Sequence, residues 1–191
     1  MAQLIVYFSR TGENYVGGTI RDLPVGNTET AAKQIQAHTG AALFRLEPVQ
    51  AYPYSYNECI ARAQDEQRRD ARPELKAYPA SLDGYDTIYL GYPNYWGTMP
   101  MCVCTFLEHF DFTGKTIRPF CTHEGSGLGR SEADIRRLCY NRQASRFPSR
   151  PYKPGSPFGK AHNSDIRNGN FKLLWGYSEK EIQNNSADSR M

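Results

Sequence analysis

A chain of 191 residues with a hydrophobic share of 39% has material for one sizeable core, and no apolar run approaches the ~18 residues a membrane span needs. Its net charge of +3 conceals two compositions: residues 1–139 carry 14 Lys+Arg against 16 Asp+Glu (−2), and residues 140–191 carry 9 against 4 (+5). The mildly acidic body argues against nucleic acid as a partner and leaves the basic tail as a separate question.

The first element is Leu4-Ile5-Val6-Tyr7-Phe8, a continuous β-branched and aromatic run of the kind that forms a strand buried on both faces of a parallel sheet. No basic segment or cleavage site precedes it, so a cytoplasmic protein with no membrane association is expected. The strand breaks into Ser9, Arg10, Thr11, Gly12, Glu13 and Asn14, whose hydroxyls, amide and glycine suit an oxyanion or, more plainly, a polar turn capping a helix. Tyr15 to Gly26 then reads as an inserted flap with three glycines and a proline. Asn27 and Thr28 supply cap chemistry for a helix in which Ala31, Ala32, Ile35 and His38 share a face. Ala41 to Leu46 is a short strand and Ser55 to Arg69 a charge-rich exposed helix. Thr87 to Gly91 is the next buried strand, followed by Tyr92-Pro93-Asn94-Tyr95-Trp96-Gly97 and a helix from about Pro100 to His109. Thr116 to Cys121 is a further strand, leading into Thr122-His123-Glu124-Gly125-Ser126-Gly127-Leu128-Gly129. Ser131 and Asp134 make a capping-box signature for a helix ending near Leu138. Cys59, Cys102, Cys104, Cys121 and Cys139 form no C-x-x-C pair and lie in or beside apolar stretches, so buried free thiols are expected rather than disulfides or a metal site.

Strands alternating with helices imply a three-layer, doubly wound parallel sheet, an α/β fold. Three strand ends carry unusual loops with complementary chemistry. The first offers hydroxyl and amide donors, the second the flat faces of Tyr95 and Trp96, and the third a glycine-rich backbone that a planar ring can approach closely. Together they describe a phosphate joined to an aromatic ring, against the plainer reading of Tyr95 and Trp96 as core aromatics. GSGLG is not a G-x-G-x-x-G in register and no G-K-[ST] follows a strand, so neither a Rossmann fingerprint nor a P-loop is present.

YFSRTG, VGNTE, YPNYWGTMP and PFCTHEGSGLG, in that order over residues 1–139, resemble the motifs of flavodoxin-like FMN-binding proteins. The resemblance implies strand order 2-1-3-4-5 with FMN at the switch point between the first and third strands. It assigns Ser9, Thr11, Asn14, Asn27 and Thr28 to the FMN phosphate, with Gly12 in the same loop. In related proteins the phosphate motif often runs on as S-R-T-G-N-T, whereas here Gly12 and Gly26-Asn27-Thr28 are separated by the flap, so both halves are expected to build the site. Pro93, Asn94, Tyr95, Trp96 and Gly97 would flank the isoalloxazine, and Thr122, His123, Glu124, Gly125, Ser126 and Gly127 would close its other edge. An apolar aromatic slot opposes the negative charge of fully reduced flavin and lowers its potential. His123 and Glu124 either tune the flavin and relay a proton or form an exposed polar pair. The resemblance implies an electron-transfer protein that docks on a redox partner protein or a small-molecule acceptor. The alternative is an FMN-dependent NAD(P)H:quinone oxidoreductase, usually completed by a second subunit as a homodimer, with the flap walling its substrate pocket.

After Leu138 such a fold calls for a fifth strand and a closing helix. From Tyr140 onward there is no valine and no cysteine, Arg, Ser, Pro and Asn dominate, and Phe171 to Tyr177 alone reads as a strand. This is the composition of a disordered basic extension or of a shifted reading frame.

Overall fold

The computed structural model describes residues 2–144 and 176–178. Its elements are β1 (Ala2–Tyr7), β2 (Gly12–Val16), β3 (Thr19–Leu23), α1 (Asn27–Thr39), β4 (Ala42–Arg45), α2 (Tyr56–Arg68), β5 (Tyr85–Pro93), α3 (Met101–His109), β6 (Thr116–His123), α4 (Ser131–Ala144) and β7 (Gly176–Ser178). The main sheet is five-stranded and runs β4-β1-β5-β6-β7. Each pair is parallel, and numbered among themselves the five strands have the expected order 2-1-3-4-5.

β1 is central because both its faces are covered. Leu4, Val6 and Phe8 pack with Ile88, Leu90, Tyr92, Val103, Phe106 and Ile135 in one core cluster. Ile5 and Tyr7 point the other way, onto Ala31 and Ala32 of α1 and onto Tyr89 and Phe120. This two-sided burial is what the unbroken apolar run records. Gly91 of β5 has no side chain because the ring of Phe120 occupies its Cβ position, at 2.2 Å. Among the described residues no helix is long and apolar enough to cross a membrane.

Four expectations are corrected. Tyr15 to Gly26 is not an irregular flap, since β2 and β3 pair antiparallel across a Gly17-Gly18 turn with Tyr15 opposite Ile20 and Gly12 opposite Leu23. Both turn glycines take positive φ, +59° and +86°, the geometry a two-residue hairpin needs. At α1 the N-cap is Gly26, and Asn27 and Thr28 lie inside the first turn; the cap is supplied from afar, the Glu29 N–H donating to Ser9 Oγ at 3.1 Å. No capping box forms at α4, where the Ser131 hydroxyl donates to Leu128 O at 2.6 Å and accepts from Tyr92 Oη at 2.8 Å. Asp134 instead accepts from Thr98 Oγ1 at 2.7 Å. The helix also runs past Leu138 to Ala144, because no breaker occurs before Pro148.

The fifth strand exists in short form. Cys121, Thr122 and His123 pair with Gly176, Tyr177 and Ser178, so the strand overlaps the C-terminal end of the Phe171 to Tyr177 candidate. The remainder of residues 145–191, and with it the choice between a disordered extension and a shifted frame, lies outside the described residues.

All five cysteines are free thiols. Burial pushes the Cys104 and Cys121 thiols up to about 12 from an ordinary value of 9.0. A thiol raised in the fold contributes nothing that changes below pH 9 and loses stability as pH rises from 9 toward 12, where the unfolded chain ionises first. Urea midpoints of the reduced protein are therefore expected to fall between pH 9 and 11, with the native thiols unreactive toward a disulfide reagent at pH 8. Fast stoichiometric labelling of the native protein would contradict this.

Candidate functional site

Because β4 and β5 lie on opposite sides of β1, the crossovers from β1 diverge and leave a cleft at the carboxyl ends of the strands. A cavity of about 420 Å³ occupies that place. Ser9, Asn14, Asn27 and Thr28 line it together with Pro93 to Gly97 and with Thr122, His123, Glu124 and Ser126. Four assigned residues fall outside the lining. Thr11 is exposed and faces a neighbouring cavity of about 230 Å³ with Arg45 and Lys76. Gly12 opens β2, and a Cβ there would meet the Tyr54 ring at 2.8 Å. Gly125 and Gly127 turn the third loop, Gly127 offering its carbonyl to Asn94 Nδ2 at 2.8 Å.

Arg10, Tyr15, Tyr56 and Ile60 line the cavity and were not assigned from sequence. They come from the loop cation, the hairpin and α2, whose meeting is a tertiary event. Tyr15 stacks on Tyr56 with centroids 5.9 Å apart, and the Gly17 N–H at the hairpin tip donates to Glu124 Oε2 at 3.0 Å. The alternation around Gly17-Gly18 was a hairpin signal available in the sequence.

At the polar end the two halves of the split motif meet. Gly26 packs so tightly that a Cβ would lie 2.3 Å from both Arg10 O and Ser9 Oγ. Ser9 and Thr28 are buried, at 5% and 2% exposure, and Thr28 Oγ1 shares a 2.8 Å hydrogen bond with Thr122 Oγ1. Glu29 is turned away to Lys33 and Arg45. Hydroxyls, amides and the first-turn N–H groups of α1 thus converge, a donor set that fits a phosphate, and Glu124 is the carboxylate in the cavity's lining.

The aromatic end separates Tyr95 from Trp96. Tyr95 belongs to a core triangle, edge-on to Phe8 at 6.3 Å and Tyr52 at 5.9 Å, with its hydroxyl 3.4 Å from Cys59 Sγ. Burial drives its pKa well above the ordinary tyrosine range. Trp96 is 47% exposed, in a left-handed backbone (φ 54°), and its Nε1–H donates to Ile60 O at 2.9 Å. Trp96 is therefore the flat face with room beside it. Asn94 fixes the wall: its N–H donates to Thr122 O at 2.9 Å, and its Oδ1 accepts from Gly97 N at 2.9 Å. Gly129 lies against Gly97, with Arg130 N donating to Gly97 O at 2.8 Å, so the second and third loops are locked together. The His123 Nδ1 accepts from Gly125 N at 3.0 Å.

A parallel sheet of order 2-1-3-4-5 with its cleft beside the first strand defines an open α/β protein of the ligand-binding, flavodoxin-like class. The sequence profile of the flavodoxin family matches residues 23–149, and the chain belongs to that family. Among solved structures, a provisionally named flavoprotein from Bacteroides eggerthii DSM 20697 is similar at 25% identity and TM-score 0.58, over 98% of this chain and 96% of that one. Another, from Bacteroides uniformis ATCC 8492, has 24% identity and TM-score 0.55 over 97% of each chain. A flavoprotein from Lactobacillus acidophilus NCFM, solved in complex with FMN, shares the fold at 16% identity and TM-score 0.55, over 72% of this chain and 85% of that one. No curated protein shows significant sequence similarity.

Proposed function

We propose that this chain is a cytoplasmic electron carrier that holds FMN in the 420 Å³ cavity, its phosphate at the Ser9, Asn27 and Thr28 end and its ring beside Trp96. The observation that carries the reading is one cavity, at the switch point, that brings the hydroxyls and amides of Ser9, Asn27 and Thr28 together with the half-exposed ring of Trp96. FMN is the cofactor, and when bound it supplies electron-transfer chemistry. The protein's part is to hold the phosphate, to shield one ring face with Trp96, and to set the second and third loops at the ring's edges. The partner is a redox protein or a small-molecule acceptor. Asn14, with its Nδ2 donating to Gly12 O at 2.9 Å, stiffens the hairpin base beside the phosphate end.

A second reading, an FMN-dependent NAD(P)H:quinone oxidoreductase acting as a homodimer, draws support from the hairpin. Its Tyr15, stacked on Tyr56, adds an aromatic wall at the cavity mouth that a planar acceptor would use. The two readings part on one experiment. The purified, FMN-loaded carrier should absorb in the blue, exchange electrons with a strong chemical reductant quickly, and oxidise NADH or NADPH slowly, because hydride transfer requires a nicotinamide held over the flavin. Rapid, saturable NAD(P)H oxidation with a quinone acceptor would establish the enzyme instead. A protein that takes up no flavin would refute both.

A further inference from the structure

Arg10 is a buried arginine whose side-chain partners are all uncharged oxygens. It is 8% exposed. Its Nε donates to Pro53 O at 3.1 Å, Nη1 to Glu13 O and, at 3.5 Å, to Asn14 Oδ1, and Nη2 to Tyr54 O. Those acceptors are neutral. Arg45, Arg62 and Arg72 each pair with a carboxylate, whereas among the described residues none lies within ion-pair distance of Arg10. The carboxylates nearest in sequence are committed elsewhere: Glu13 Oε2 accepts from Tyr56 N at 3.0 Å, Asp22 accepts from the Tyr54 hydroxyl, and Glu29 holds Lys33 and Arg45.

Carbonyl dipoles satisfy a guanidinium's donors without neutralising its charge, and a buried charge lacking a counter-ion is costly until one arrives. The Arg10 side chain and the donor end of the cavity share the same short loop, and Arg10 lines the cavity itself. Its field reaches further along that wall, where it favours the ionised forms of Tyr95 and Cys59 against the larger effect of burial. The same fork also ties three segments together, because it grips the Ser9–Thr11 loop's neighbours on β2 and on the Pro53–Tyr54 turn, where Glu13 N donates to Tyr54 O at 3.2 Å.

We infer that Arg10 is the counter-charge by which this site selects a phosphorylated flavin over an unphosphorylated one, and that its fork at the same time holds the β2–β3 hairpin at the cavity mouth. The inference rests on the FMN reading above. With its fork turned to protein oxygens, Arg10 acts through charge and position, so it is a positioning residue. Charge and fork are separable by substitution, since lysine keeps the first and loses the second.

The test titrates flavin-free protein with FMN and with riboflavin, following flavin fluorescence, for wild type, Arg10→Gln and Arg10→Lys. Wild type should prefer FMN. Arg10→Gln should reduce the FMN-to-riboflavin affinity ratio about 10- to 100-fold, mostly through FMN, as expected for loss of a unit charge from the wall of a phosphate site. Arg10→Lys should keep the ratio while its hairpin is cut faster than wild type by a protease in the native state. An unchanged ratio in Arg10→Gln, or a ratio lost equally in Arg10→Lys, would overturn the inference while leaving FMN binding intact. If Arg10→Gln yields no folded protein, Arg10→Lys decides alone: a retained ratio supports the counter-charge and a lost one refutes it. Wild type that binds neither flavin would overturn the FMN reading, and this inference with it.

Discussion

Gly26→Ala should abolish useful FMN capture while leaving most of the sheet folded. The position takes an ordinary extended backbone (φ −71°, ψ 149°), so alanine meets no conformational objection; the obstacle is space. Its Cβ would sit 2.3 Å from Arg10 O and from Ser9 Oγ, and a backbone carbonyl cannot swing aside as a long side chain can. Either α1 withdraws or the Ser9–Arg10 loop does, and each motion separates the two halves of the phosphate site. Overpacking of this kind costs about 1–3 kcal/mol of stability. The effect on FMN should be larger in proportion, on the order of 100-fold or more, because a shift near 1 Å ruins a converging donor set. Gly84→Ala is the matched control, with nothing within 4 Å of its Cβ. Equal FMN affinity in Gly26→Ala and Gly84→Ala, by fluorescence titration, would show that the two halves do not act together.

Glu66→Ala should be among the most destabilising single changes in the chain. Glu66 is 4% exposed, accepts from Tyr52 Oη at 2.5 Å, and pairs with Arg62 Nε at 2.8 Å. The Arg62 guanidinium in turn lies 4.7 Å over the Tyr52 ring and donates to Gln50 O and Ala51 O. This network fastens the 50–52 segment to α2, and Tyr52 touches Phe8 and Tyr95 beneath the cavity. Alanine would strand a phenol and a guanidinium together, which costs about 3–5 kcal/mol for a buried pair. Arg62 keeps two carbonyl partners and is a quarter exposed, so the lower end, about 3 kcal/mol, is expected, lowering Tm by roughly 6–12 °C. Glu66→Gln retains an acceptor for Tyr52 and should cost about half as much. Thermal denaturation of the two variants decides it, and a Glu66→Ala shift under about 2 °C would mean that the network is solvated in solution.

The central strand, the alternation of strands and helices and the polar break after Phe8 were all legible in the sequence, because each leaves a local mark, whereas the strand order came from the resemblance of the loop motifs. Two-sided burial writes an unbroken apolar run at Leu4 to Phe8, and a strand-to-loop change at a ligand site writes an abrupt switch to hydroxyls and glycine. The short fifth strand was nearly silent, since three residues paired to β6 need little apolar patterning. Destinations of side chains were decided only in three dimensions. Thr11 and Ser9 belong to one loop and look alike, yet the loop's path buries Ser9 against α1 and turns Thr11 to solvent. Tyr95 and Trp96 are adjacent and both aromatic, but the left-handed backbone at Trp96 sends one ring into the Phe8–Tyr52 core and leaves the other half-exposed at the cavity. Arg10 is an unremarked loop residue in the sequence, and its burial without a carboxylate follows from the meeting of β2, the Pro53–Tyr54 turn and the first loop. Periodicity and turn chemistry are properties of neighbours along the chain, whereas charge compensation and cavity lining depend on which distant segments the packing brings together.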